Sequence, residues 1–494
     1  MDLIARIRQH AAETPQRNAL EGPEGHIGYA ELARRIEHLA GELRQRRVIT
    51  LALALENGPA WVLLDLAALL AGVCLVPLPP FFSTGQMRHA LSLSGAQALV
   101  TDRPELLCGR LDLPPAGDPL NLTGPPLTWI NLPGNGDLVP AGICKITFTS
   151  GTTGEPKGVM LGWQHIQPVV RSLAEAVEVT RDDRHLALTP LAVLLENIAG
   201  VYVPLWSGAT VVVPDGAAVG LAGSSRLNAA AMIGALQQHR ASTAIFSPQT
   251  LQGMVEAIES GLPAPDRLRF AAIGGAPLSP RLLQRATRLG LPIYEGYGLS
   301  ECASVVCLNT PKHNRPGTVG RALPHARIRI TGDGEVRIAG AGFAGYLGDT
   351  TTPPAPWPSG DIGALDADGF LRLRGRRRDV FITAFGRNIS PEWVERELTL
   401  ESPIHQAVIF GEARPRNMAI IHPAPGATPD ALTDAIGKVN ADLPDYARIA
   451  GWITASESFT PANGLLTGTG RVRRQAIYNQ YRQQIENLYE EHAT

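Results

Sequence analysis

The densest run of groups able to bind an anion lies at residues 147–158, where Thr149, Ser150, Gly151, Thr152, Thr153 and Gly154 precede Pro156, Lys157 and Gly158. Glycines let backbone N–H groups approach an anion, hydroxyls add donors, and a lysine adds a point charge. Together these make a polyphosphate cradle. The spacing is not that of a Walker A loop, because Lys157 stands between Pro156 and Gly158 rather than before a Ser or Thr. A Gly/Thr-rich surface turn is the bland alternative for so short a string.

A cradle needs a strand to deliver it, and Ile143 to Phe148 is a largely apolar, β-prone run. On its N-terminal side helical and strand patterns alternate. Tyr29 to Arg44, Trp61 to Ala71 and Thr84 to Ser94 read as helices, and Val48 to Ala54, Val73 to Val76 and Ala98 to Thr101 as strands. Residues 103–140, rich in Pro and Gly, read as irregular connection. The alternation resumes with helices over Gln164–Val177, Leu191–Leu205, Ala229–His239, Thr250–Glu259 and Leu278–Leu289. Strands are expected at Arg184–Leu188, Ala209–Val213, Ala244–Phe246 and Phe270–Ile273. This pattern predicts an α/β fold with doubly wound parallel sheets. From Arg327 the texture changes to a β-rich subdomain with runs at Arg327–Ile330, Glu335–Ile338 and Phe370–Leu373. Beyond Arg376 comes a separate αβ unit, with a helix over Pro391–Leu400 and a strand over Gln406–Phe410.

Composition narrows the function. The chain has 494 residues, 44% of them hydrophobic and 18% charged, with a net charge of −2, so a basic nucleic-acid footprint is absent. Phosphate binding must come from placed residues. Cys74, Cys108, Cys144, Cys302 and Cys307 form no C-x-x-C pair and suit a reduced, cytoplasmic setting. Residues 1–10 carry Asp2, Arg6 and Arg8 without the apolar stretch of a secretory signal. Ala60 to Pro80 is long and apolar, but Asp65, Gly72 and the closing prolines identify it as a buried helix and strand rather than an integral membrane segment.

Further motifs recur downstream: Gly274-Gly275-Ala276-Pro277, Tyr294-Glu295-Gly296-Tyr297-Gly298-Leu299-Ser300-Glu301, Ser359-Gly360-Asp361, Gly375-Arg376-Arg377-Arg378-Asp379 and Gly386-Arg387-Asn388. Each alone reads as a turn or a solvated charge run. In this order they resemble the ANL superfamily of adenylate-forming enzymes, which includes acyl-CoA synthetases, and the likeness spans nearly the whole chain. The resemblance implies a large N-terminal domain at 1–377 and a small mobile C-terminal α+β lid at 378–494. It implies that residues 149–154 and Lys157 grip the β- and γ-phosphates of ATP, with Lys157 assisting loop closure. Gly274, Gly275, Ala276, Glu295, Gly296 and Gly298 would line the nucleotide, with Tyr297 packed on adenine. Ser300 would contact the α-phosphate, Glu301 would hold Mg²⁺, Asp361 would read both ribose hydroxyls, and Arg376 would touch ribose or phosphate. Arg378 would be the hinge, and Gly386 would line the path of the thiol.

Three positions depart from the family pattern, the first being Arg378, where family hinges are commonly Asp or Lys. Near the C-terminus, Asn463 to Thr467 followed by Thr469-Gly470-Arg471 resembles the motif whose lysine bridges carboxylate and α-phosphate, and Arg471 stands at that lysine. Arginine keeps the charge and can bind an oxyanion bidentately, with a different reach. In Pro190 to Asn197 the histidine common in relatives is missing, although Glu196 remains; Glu196, Asn197 and Gly200 fall where the acid pocket is expected. The resulting reading is ATP-dependent activation of a fatty or other hydrophobic carboxylic acid, then transfer to a thiol, with CoA the default. Transfer to the phosphopantetheine of an acyl carrier protein or to an amine, and a nucleotide-binding relative with impaired adenylation, are the rival readings.

Overall fold

The computed structural model describes residues 2–113, 117–120, 122, 126–136, 138–149, 156–222, 226–276, 278–377, 379–384, 388–467 and 470–491. The apolar run after Ala60 becomes the helix Pro59–Ala71, started by a proline at its first turn and ended by Gly72 at φ 75°. Every residue from Ala60 to Ala68 is buried, Asp65 included. Among the described residues no helix is long and apolar enough to cross a membrane. The helix Thr84–Ser94 starts in a capping box, Ser83 with Gln86, and ends on the left-handed Gly95.

Among the described residues two large sheets form the centre. In one, Asn18–Gly22, Thr210–Val212, Arg184–Leu186, Thr243–Phe246, Phe270–Ile273 and Ile293–Leu299 lie side by side and parallel. In the other the parallel set is Ile143–Thr149, Cys74–Pro77, Thr50–Ala54 and Ala98–Thr101. Helices cover these sheets as the alternation predicts. The sheets are mixed rather than wholly parallel, however: Ser304–Leu308 and Lys157–Gly162 each return antiparallel beside the strand that precedes them. Both returns follow a connection too short for a crossover helix, which leaves hairpin pairing as the available geometry.

The Pro/Gly-rich stretch 103–140 is more regular than its composition predicts. It holds the helix Pro104–Leu111 and the strands Asp118–Leu120 and Leu127–Asn131. Pro104 opens its helix where no backbone donor is needed. Pro119 lies on the outermost strand of its sheet, where a missing N–H costs no ladder bond. The Leu191–Leu205 expectation is also revised: Glu196–Tyr202 is a π-helix that runs on into a short α-helix, Val203–Ser207.

The β-rich subdomain is an antiparallel sheet of Arg327–Ile330, Glu335–Ala339, Trp357–Leu365 and Leu371–Arg376. The C-terminal unit packs the helices Pro391–Thr399, Pro429–Asp442 and Arg474–Glu491 around a sheet of Ile404–Phe410, Asn417–Pro423 and Ile449–Thr454.

Candidate functional site

Thr149, Gly274 to Ala276, Ser300 and Glu301 lie at the carboxyl ends of parallel strands, where open α/β sheets bind ligands, whereas Asp361 and Arg376 come from the antiparallel sheet. Strand Ile143–Thr149 delivers the cradle and Lys157–Gly162 leads away from it, with Thr149 facing Lys157 across the pair. Ser150, Gly151, Thr152, Thr153 and Gly154 lie outside the described residues, as do Arg378 and Gly386. The Lys157 ammonium sits 4.9 Å from the centre of the Tyr346 ring. The Tyr346 hydroxyl donates to Glu301 Oε1 at 2.8 Å. Lys157, Tyr346 and Glu301 thus form a chain from the cradle to the carboxylate expected to hold a metal.

Among the described residues no group of three or more His, Cys, Asp or Glu could hold a metal ion. A single hard carboxylate beside a phosphate loop is the donor set that suits a Mg²⁺ bound mainly by phosphates and water. Glu301 fits that role.

Gly274, Gly275 and Ala276 follow the strand Phe270–Ile273, and Gly275 takes φ 81°, a conformation that favours glycine. The neighbouring strand Ile293–Leu299 carries Glu295 to Gly298, and Ser300 and Glu301 continue it into a 3₁₀ turn. Gly298 is required by close packing, since a Cβ there would stand 1.7 Å from the Ser304 carbonyl oxygen.

Tyr297 is 8% exposed, and its ring lies in an apolar cluster with Cys302, Val306 and Leu371. Its hydroxyl donates to Asp361 Oδ2 at 2.5 Å. Arg376 Nε meets Asp361 Oδ1 at 2.8 Å, and Arg376 Nη1 donates to the Ser359 carbonyl at 3.3 Å. Burial, with the Asp361 carboxylate beside it, pushes the Tyr297 phenol up and keeps it a donor. Tyr297, Asp361 and Arg376 therefore come together as one cluster, with the ring of Tyr297 turned into the protein core. The Glu295 carboxyl accepts from the Gly317 N–H at 3.0 Å, and burial pushes it up to about 7 against the pull of that N–H, Arg396 and Arg372.

The C-terminal unit reaches the same place. Arg471 Nη2 donates to the Gly275 carbonyl at 3.2 Å. Ser279 donates to Glu397 at 3.2 Å, and Arg281 pairs with Glu401, which also accepts from Lys438. Arg471 is thus brought beside the glycine turn that its distance in sequence conceals.

Glu196, Asn197 and Gly200 are placed differently from the other candidates. Glu196 is 0% exposed and meets His185 Nε2 at 2.8 Å and the Thr189 hydroxyl at 2.5 Å. Asn197 bonds Asp65 and Lys145. A Cβ on Gly200 would meet Glu196 Oε1 at 2.2 Å. These three residues close buried networks, while half-buried Leu195, Ala199, Ala272 and Tyr294 pack against the apolar core. His185, Asp65 and Lys145 were not singled out by motif. A signal existed for two of them: Asp65 is the one charge in its apolar helix, and Lys145 the one charge in its apolar strand. Burial pushes the thiols of Cys144 and Cys307 up to about 12 and that of Cys302 upward as well, which leaves these cysteines unreactive.

The profile of the AMP-binding enzyme family matches residues 7–347, and that of the AMP-binding enzyme C-terminal domain matches residues 378–493. The long-chain-fatty-acid–CoA ligase FadD15 of Mycobacterium bovis is 28% identical over 516 residues, covering 87% of this chain and 86% of the relative. The indoleacetate–CoA ligase of Aromatoleum aromaticum is 27% identical over 474 residues, covering 87% and 90%. Among solved structures, the anthranilate CoA ligase AuaEII in complex with anthranoyl-AMP superposes with a TM-score of 0.79 at 17% identity, covering 97% of each chain.

Proposed function

The chain belongs to the AMP-binding enzyme family, the ANL adenylate-forming superfamily, and from that premise we propose that it joins a hydrophobic carboxylic acid to CoA through an acyl-adenylate. In the first step a carboxylate oxygen of the acid attacks the α-phosphorus of ATP. The new O–P bond forms as the bond to the bridging oxygen of pyrophosphate breaks. In the second step the CoA thiol gives up its proton, sulfur attacks the acyl carbonyl, and AMP leaves.

Catalysis of this kind is positioning and charge neutralisation. Asp361 accepts the ribose hydroxyls, with Arg376 and Tyr297 fixing its carboxylate. The turn Gly274–Ala276 and the strand Glu295–Gly298 form the nucleotide wall. Lys157 closes the phosphate loop Thr149–Gly154, Ser300 donates to the α-phosphate, and Arg471 neutralises the charge that builds there. Mg²⁺ supplies further neutralisation of the phosphates when bound, with Glu301 the residue that would hold it. The large domain is assigned to 1–377 and the lid to 378–494, with the hinge at Arg378 and Gly386 on the thiol's path.

The observation that carries this reading is the approach of Arg471, from the C-terminal unit, to the Gly275 carbonyl of the glycine turn at 3.2 Å. The half-buried apolar side chains of Leu195, Ala199, Ala272 and Tyr294, packed on the core near the strands Phe270–Ile273 and Ile293–Leu299, support a hydrophobic acid. CoA is the acceptor in the names of the relatives above, whose acids range from long-chain to aromatic.

Acid-dependent ATP–pyrophosphate exchange over a panel of fatty and aryl acids, followed by thioester detection with CoA, tests the proposal. Exchange with at least one hydrophobic acid and a thioester product is expected. Bound ATP without exchange for any acid would sink the ligase reading, and exchange without thioester would point to another acceptor. Arg471→Lys should keep or raise exchange, whereas Arg471→Ala should lower it by about 10²-fold, the scale of losing one charged stabiliser of the transition state.

A further inference from the structure

The π-helix Glu196–Tyr202 is held by its first two residues in two separate buried polar clusters. Asn197 belongs to a cluster that contains Lys145, whose side chain is 2% exposed, and Asp65, at 1%. The Lys145 ammonium donates to Asp65 Oδ1 at 2.7 Å, to Tyr202 Oη at 3.1 Å and to Asn197 Oδ1. Asn197 Nδ2 closes the ring on Asp65 Oδ2 at 2.8 Å. All three ammonium donors are used. Glu196 points to the other cluster, His185, Thr189 and, through His185 Nδ1, Thr243 at 3.0 Å. Gly200 leaves the room that the Glu196–His185 pair occupies.

A buried ion pair is a poor stabiliser, because apolar groups of similar volume are often as good or better. A fully satisfied cluster does, however, define geometry sharply. The elements it joins are telling. Lys145 lies four residues before Thr149 on the strand that runs into the phosphate loop. Leu195 directly precedes the anchored Glu196 and Asn197, and its Cδ2 lies 3.8 Å from the point a Gly274 Cβ would occupy. π-Helical turns concentrate at functional sites.

We infer that Lys145, Asp65 and Asn197 are positioning residues that couple the phosphate-loop strand to the Leu195 wall of the acid site, so that ATP in the loop sets the register of that wall. The inference rests on the adenylation reading above. The coupling acts through Leu195 and the strand, and none of the three residues touches substrate.

The test replaces the cluster with apolar groups, Lys145→Met with Asp65→Leu and Asn197→Leu, in the full-length protein. Melting temperature, exchange kinetics and hydrogen exchange of residues 190–202 with and without ATP are then measured. The variant should melt at or above the wild-type temperature. It should lose at least tenfold in kcat/KM for the acid while KM for ATP moves less than threefold. ATP should protect the 190–202 amides in the wild type and no longer in the variant. A folded variant with wild-type kinetics and wild-type ATP-dependent protection would overturn the inference and leave the cluster as core filling. If the triple variant does not fold, Asn197→Leu alone carries the same three measurements. A wild type that exchanges with no acid removes the ligase reading, yet ATP-dependent protection of 190–202 still decides the coupling, and its absence in the wild type overturns it.

Discussion

Two buried aspartates are each held by a cation and associated with a tyrosine, one in the core of the large sheets and one on the antiparallel sheet. Asp65 meets Lys145 at 2.7 Å with side-chain exposures of 1% and 2%, and Asp361 meets Arg376 at 2.8 Å with exposures of 8% and 22%. The distances are alike and the surroundings are not. Asp65 sits inside a helix that is apolar on every side, so no ligand can reach it and its partners are permanent. Asp361 lies on a sheet strand with Arg376 partly in water, so a diol arriving from solvent can take up its lone pairs. Under the proposed function the same ion pair is a fixed joint in one place and a ribose-binding group in the other, with the partial exposure of Arg376 as the difference between them.

The strongest way to break the comparison is to remove the cation from each. Lys145→Met leaves the Asp65 carboxylate buried and unpaired, which should cost about 3–5 kcal/mol in denaturant unfolding. Adding Asp65→Leu should restore most of that loss. Arg376→Met exposes its carboxylate to a half-wet site and should cost less than about 2 kcal/mol. Equal costs for the two single variants would mean that the two environments are not different in the way described.

Activity should reverse the order. Asp361→Asn keeps an acceptor for Tyr297 but forfeits the charge-assisted bonds proposed to the ribose. About 3 kcal/mol, or roughly 10²-fold in kcat/KM for ATP, is expected with little change in melting temperature. A purely structural Asp361 would show the opposite pattern, a lowered melting temperature and unchanged kinetics.

The sequence carries these two aspartates very unequally. Asp361 was legible because its motif follows others in a recognisable order, and the same order exposed Tyr297, Ser300, Glu301 and Arg376. Several helices and strands were legible from composition and periodicity, some to the residue, as for Thr84–Ser94 and Phe270–Ile273. Asp65 and Lys145 were not legible as a pair, because 80 residues of chain separate them and neither sits in a motif. Each was visible only as a lone charge in an apolar element, and the topology that places strand Ile143–Thr149 beside Cys74–Pro77 is a tertiary fact. The placement of Asn197 and Gly200 was hidden for a related reason: periodicity predicts an α-helix over Leu191–Leu205, and the π-turn that begins at Glu196 rotates the side chains that follow. Composition misled at 103–140, where Pro104 occupies a helix start and Pro119 an edge strand rather than a loop.

A smaller effect tests the second anchor of the π-turn. Gly200→Ala would bring a methyl to 2.2 Å from Glu196 Oε1 and 2.6 Å from His185 Nε2, both ends of side chains rather than backbone. The pair can yield by separating, so the cost should be that of modest overpacking, about 1–3 kcal/mol. Thermal unfolding of Gly200→Ala against Gly200→Ala/Glu196→Gln measures it. If the clash is with the Glu196–His185 pair, the two costs will not add.

Glu295 sharpens the comparison from a third side, as a desolvated carboxyl influenced by Arg396 and Arg372 at long range and bonded to the Gly317 N–H. Its carboxyl is pushed up to about 7 from an unfolded value near 4.5. The folded state therefore binds this proton more tightly than the unfolded state does. Its contribution to stability is fully present below about pH 4.5 and is lost as pH rises toward 7, with no further change above. Glu295→Gln removes the titration while keeping an acceptor for Gly317. Other groups titrate alike in both proteins, so they cancel in the difference of melting temperatures. That difference should favour the variant progressively from pH 5 to pH 7 and then level off. A difference that stays flat across the range would mean that Arg396 and Arg372 neutralise Glu295 as fully as Lys145 neutralises Asp65, and distance rather than burial would then have to separate the three carboxylates.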